Sequence, residues 1–164
     1  ASRLESAVAS GARVAAQAGD DPQADWEVLQ AMRGALGPDI SDVERVVVYE
    51  ATTADGTVPA ACLTASALVT GGVAGVCSVY GSDDLASLSH ATFTSGGAHN
   101  GGAGNPCGGG STAGWCPADR VDPSGAAVML GVYAVMHRSS ITGYLPTLGS
   151  DIDERAVARI EPAS

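Results

Sequence analysis

The chain has 164 residues, with 8 Arg, no Lys, 18 Asp+Glu, 22 Gly and a formal net charge of −10. That length suits one domain with a real core, and the acidic balance excludes the Lys/Arg surface that phosphate backbones and anionic lipid headgroups require. A hydrophobic share of 45% with only 4% aromatic excludes wholesale disorder and implies a core of small side chains.

Residues 2–18 are Ala-rich and free of Pro, and Gly19 with Asp20-Asp21 ends them, which predicts a helix. Leu4, Val8, Ala12, Ala15 and Ala18 form a narrow apolar stripe on it. Ala7, Gly11, Ala15 and Gly19 add a stripe of small residues four apart, suited to close approach by another helix. The expected helix-packing interface is therefore Leu4, Ala7, Val8, Gly11 and Ala15. Ser2 is followed at once by Arg3, so the helix reads as the continuation of a longer one. Asp21-Pro22 predicts a second helix over 22–36, stopped by Gly37-Pro38. Residues 1–37 then form a helical arm, and 38–164 an α+β head.

Within the head, residues 43–51 predict a strand covered in part on both faces. Asp55-Gly56 predicts a turn, and Ser82-Asp83-Asp84-Leu85 a short helical turn. Residues 94–114 form a Gly-rich low-complexity loop. Residues 126–137 and 154–161 predict two further strands. The order implies an α+β fold, with two helices packed on an antiparallel sheet of about three strands and a disulfide-stapled loop region.

Cys62, Cys77, Cys107 and Cys116 lack the close spacing of a zinc ribbon or redox motif. Two of them sit in Gly- or Pro-flanked loops, so two disulfides and an oxidising compartment are expected. Of three possible connectivities, Cys62–Cys77 with Cys107–Cys116 closes the shortest loops, each worth roughly 3 kcal/mol by chain entropy. Thr57 to Ser82 carries no charge, yet Gly, Ser and Thr dilute it below what a membrane span needs. No nucleotide, zinc-protease or serine-hydrolase motif is present. His90 and His99 with Asp83 or Asp84 are the nearest approach to a metal set, and they read as solvated loop residues. No cofactor, metal or catalytic residue is expected. Tyr80, Trp115 and Tyr144 are the aromatic candidates for a recognition surface.

Three blocks, in order, carry a resemblance. They are Glu5 to Ala16; Val58 to Cys62 with Gly75-Val76-Cys77-Ser78-Val79-Tyr80, Asp84-Leu85 and Trp115-Cys116-Pro117 with Arg120; and Gly131-Val132-Tyr133 with His137, Ile141-Thr142-Gly143 and Ala156 to Pro162. Together they resemble the TadE/TadG-like pilins of tight-adherence, type IV-like pili, in the actinobacterial branch. The resemblance implies a pilin-like fold whose first helix runs on from a membrane helix that this sequence does not contain. It implies a non-catalytic extracytoplasmic subunit, pilin or minor pilin, anchored in the cytoplasmic membrane or held in a pilus. Its partners would be other pilin subunits, met through the N-terminal helix, with pilus assembly, adhesion or secretion as the role. The alternative is an extracytoplasmic glycan- or protein-binding module.

Overall fold

A computed structural model of the chain describes residues 2–87, 89–93, 114–120, 122, 124, 126–138 and 150–160. The helices are α1 (Arg3–Ala18), α2 (Ala24–Leu36), α3 (Ala65–Thr70), α4 (Ser82–Ser87) and α5 (His90–Phe93). The strands are β1 (Val43–Glu50), β2 (Gly72–Val73), β3 (Cys77–Gly81), β4 (Met129–Arg138) and β5 (Ser150–Arg159). Short 3₁₀ turns at Gly37–Asp42, Ala60–Leu63 and Pro117–Asp119 complete the described elements. The strands form one antiparallel sheet in the order β2-β3-β1-β4-β5.

The α+β class and the three expected strands are present, but the sheet has five strands. The two additional ones lie in the uncharged stretch 57–82. β3 is only five residues long, with Cys77 to Tyr80 buried and both faces covered, so the polar/apolar alternation that marks a half-exposed strand is missing. β2 is two residues and leaves no signature at all.

α1 and α2 also depart from expectation at their starts. Ser2 is extended and its hydroxyl accepts from the Glu5 N–H, so α1 opens with its own cap. Ser2-Arg3-Leu4-Glu5 has the Ser-x-x-Glu spacing of a capping box, a signal that the Ser2-Arg3 junction alone conceals. α2 begins at Ala24, not at Pro22, because the Ala24 N–H closes a tight turn on the Asp21 carbonyl and the Glu27 N–H then bonds the Gln23 carbonyl. That turn folds α2 back alongside α1. The two helices are a hairpin lying on the sheet, and the described parts of 1–37 and 38–164 share one core.

That core is parity made visible. Val46 and Val48 of β1, Leu130, Val132, Ala134 and Met136 of β4, and Tyr80 of β3 face the helices and pack with Leu4, Val8, Leu29 and Met32. Val47, Tyr49, Val79 and Cys77 face the other way, onto Cys62 and Ala67 of the 57–76 segment. Val43 joins the helix side, although it has the parity of Val47, because the register slips by one between Val43 and Arg45. β1 is thus buried on both faces.

On the second face Tyr49 lies directly across from Gly131. A Cβ at Gly131 would stand 2.2 Å from Tyr49 Cζ, so the ring occupies the space that any side chain there would need. Gly131→Ala is expected to cost at least about 2 kcal/mol, as overpacking of a closed core does. Combined with Tyr49→Val, it should cost less than the sum of the two single changes. Urea unfolding of the four proteins reads both effects.

Candidate functional site

The small-residue stripe on α1 packs a helix, and that helix is α2 of the same chain. Leu4, Ala7, Val8, Gly11 and Ala15 are all buried. A Cβ at Gly11 would lie 3.2 Å from Met32 Cγ and 3.3 Å from Val28 Cγ1, so the missing side chain sets how closely α2 approaches. The stripe expected to meet other subunits is therefore spent inside the domain. What α1 shows to the outside is Arg3, Glu5, Ser6, Ala9, Arg13 and Gln17.

Cys62 and Cys77 form the expected disulfide, which ties the 3₁₀ turn at Ala60–Leu63 to the start of β3. Cys116 is also disulfide-bonded. Its expected partner Cys107 lies outside the described residues, as do Tyr144, His99 and all of the loop 94–114 but Gly114.

Tyr80 and Trp115 do not form a recognition surface, because both are buried. They belong to a charged cluster that sequence reading missed. Arg120 and Asp25 are fully buried and paired in a fork, Nη1 to Oδ1 at 2.6 Å and Nη2 to Oδ2 at 3.0 Å. The Tyr80 hydroxyl donates to Asp25 Oδ2 at 2.5 Å, and Arg120 Nη2 also donates to the Trp115 carbonyl at 2.8 Å. The guanidinium carbon stands 4.8 Å from the Trp115 ring centre. Ser78 Oγ exchanges hydrogen bonds with the Trp115 backbone N–H and C=O, both at 3.2 Å. Arg120 Nε is the only buried side-chain polar atom without a hydrogen-bond partner among the described residues. No continuous stretch of chain announces this cluster, since Asp25 and Arg120 are 95 residues apart. It clamps the segment 114–120 onto α2 and β3.

The remaining titratable groups are dispersed. His90 Nε2 contacts Gln23 Oε1, and its ring stands edge-on to Trp26. His137 Nδ1 meets Asp151 Oδ1 at 2.8 Å across β4 and β5, in the open. Asp84 accepts from the Gly81 N–H at 2.9 Å, which fixes the start of α4. No group of three His, Cys, Asp or Glu suited to a metal occurs among the described residues. Asp55 is held below the usual carboxylate range by hydrogen bonds from Thr53 and Thr57. Burial pushes the Tyr49 phenol up, with Arg155 opposing, and Tyr133 is raised by burial too.

One open groove stands out, between α1 and the edge strand β5. It has a volume of about 580 Å³ and is lined by Ala9, Ala12, Arg13 and Ala16 on the helix and by Ala156 and Ala158 on the strand. Small side chains dominate both walls, and Arg13 and Arg159 give the groove a positive charge in an acidic protein.

Comparison with family models, with curated proteins and with solved structures gave no match to this chain.

Truncating either half of the buried pair strands a charge. Asp25→Ala and Arg120→Ala are each expected to cost about 3–5 kcal/mol, and the double variant less than their sum. Denaturant unfolding checks this. A second expectation concerns alkaline pH. Folding favours the neutral phenols of Tyr49 and Tyr133, so their contribution is intact below the ordinary tyrosine value of 10.0 and is lost as pH climbs through and beyond it. Thermal unfolding followed upward from neutral pH should show that decline, smaller in Tyr49→Phe.

Proposed function

We propose that this chain is a non-catalytic, extracytoplasmic subunit of a tight-adherence, type IV-like pilus, acting as a pilin or minor pilin in assembly, adhesion or secretion. The observation that carries the proposal is α1 laid lengthwise on an antiparallel sheet, with the rest of the domain stapled by Cys62–Cys77. A helix supported along its length by a sheet is what a subunit needs if the same helix is to be held in a filament. A disulfide suits the oxidising side of a membrane.

The proposal requires a membrane helix beyond the described residues, among which no helix is long and apolar enough to cross a bilayer. It also shifts the contact made with neighbouring subunits. With Leu4, Ala7, Val8, Gly11 and Ala15 buried inside the domain, the face available is the polar one carrying Ala9, Arg13 and Gln17.

The test is made in the organism of origin, with the chain in its natural flanking sequence and tagged. The tagged protein should appear in the surface fraction released by shearing, with Cys62 and Cys77 resisting alkylation until reduced. Recovery from the cytosol alone, with both thiols alkylatable, overturns the proposal.

A further inference from the structure

β5 leaves one edge of the sheet without a neighbour among the described residues. Its ladder to β4 runs for ten pairs, Met129↔Arg159 to Arg138↔Ser150, with no irregularity. The Ile160 N–H continues that register by donating to the Val128 carbonyl at 2.9 Å. Even-numbered residues of β5 therefore turn their backbone groups toward β4, and Asp151, Asp153, Arg155, Val157 and Arg159 turn theirs outward. No described backbone group takes these up. The edge carries none of the Pro, Lys or bulges by which proteins commonly discourage pairing.

It does carry charge, arranged with a direction. Asp151, Asp153 and Glu154 occupy the first half, Arg155 and Arg159 the second. A strand that is acidic at one end and basic at the other is complementary to itself when run antiparallel. We propose that the occupant of this edge is a second copy of this chain, β5 pairing with β5 across a two-fold axis to give a ten-stranded sheet. The proposal is independent of the pilus reading.

The charges also select the register. Centring the axis on Glu154 or on Arg155 sets that residue against its own copy, and centring it on Val157 sets Arg155 against Arg159. Centring it on Ala156 or on Ala158 sets only alanine against itself, and of the two Ala156 is the choice that opposes unlike charges within β5. Asp153 then faces Arg159 of the second copy, twice, through outward-turned backbone positions, and Arg155 faces Val157. On the helix side Glu154 comes opposite Ala158 of the second copy, in the groove that holds that copy's Arg13. Asp153, Arg13 and Arg159 are exposed, and among the described residues none of the three has an ion pair. On that side the groove is walled mainly by small side chains, Ala9, Ala12 and Ala16.

Sedimentation equilibrium of the oxidised chain, from low micromolar to millimolar concentration at physiological salt, tests this. A reversible dimer is expected. Asp153→Arg and Arg159→Asp should each weaken it by about tenfold or more, since an opposed pair becomes a like-charged one at two places. The double variant should return it to within about threefold of the parent by restoring both pairs. Thermal unfolding of all three variants should match the parent, both side chains being exposed. A monomer throughout, a dimer indifferent to either single change, or a double variant as weak as the singles each overturns the proposal.

Discussion

The buried ion pair between Asp25 and Arg120 is the interaction on which the helix side of this domain turns. Two charges removed from water are tolerated only when each is satisfied on several sides. Asp25 gets there through the guanidinium fork and the Tyr80 hydroxyl, and Arg120 through the carboxylate, the Trp115 carbonyl and the indole face. α2, β3 and the segment 114–120 must all be in place before these bonds can form together. The geometry is therefore conditional on the whole arrangement. The pair contributes less as net attraction than as a penalty on every packing that leaves it half made.

The pair also explains where the aromatic residues went. With so few aromatic side chains in the chain, a surface platform would have spent most of them. Tyr80, Phe93, Trp115 and Trp26 instead gather around the clamp on the helix side, with Tyr80 and Phe93 6.2 Å apart and Trp26 and Phe93 5.6 Å apart. Tyr49 serves the opposite face, over Gly131 and hydrogen-bonded to the Gly56 carbonyl at 2.6 Å. Each face of the sheet has its large ring and its polar handle, and in each the handle is satisfied by a residue distant in sequence or in a turn.

Much of this architecture could be read from the chain, and what could not has definite physical causes. Whereas α3 and α5 are too short to leave such a pattern, α1 and α2 showed themselves by composition and terminators, and β1, β4 and β5 by β-branched or alternating runs. All of these are local signals. β3 could not be read the same way, since Ser78 is buried by a hydrogen bond to Trp115 and not by its own chemistry. The Asp25–Arg120 pair was beyond reach because pairing across 95 residues has no local trace. Trp115 looked like a surface candidate because it sits beside a Gly-rich loop, whereas the Arg120 carried in the same segment draws it inward. On α1, Gly11 lies against Val28 and Met32 of α2, and side-chain size says how near a helix can come but not which helix it is.

The consequence reaches the outside of the molecule. Once α2 takes the small-residue face of α1, and both faces of β1 are covered, the described residues offer an associating partner little apolar surface to bury. Leu63 and Val69 are the large hydrophobic side chains left exposed. Association then depends on backbone groups and charge, and those coincide at β5, where the free ladder positions carry Asp153 and Arg159. A net charge of −10 opposes bringing any two copies together, but at physiological ionic strength that repulsion is screened beyond about 8 Å. Charges directly opposed across a strand pair lie well inside that distance. The sign order along one edge strand can therefore decide an encounter that the overall charge would forbid.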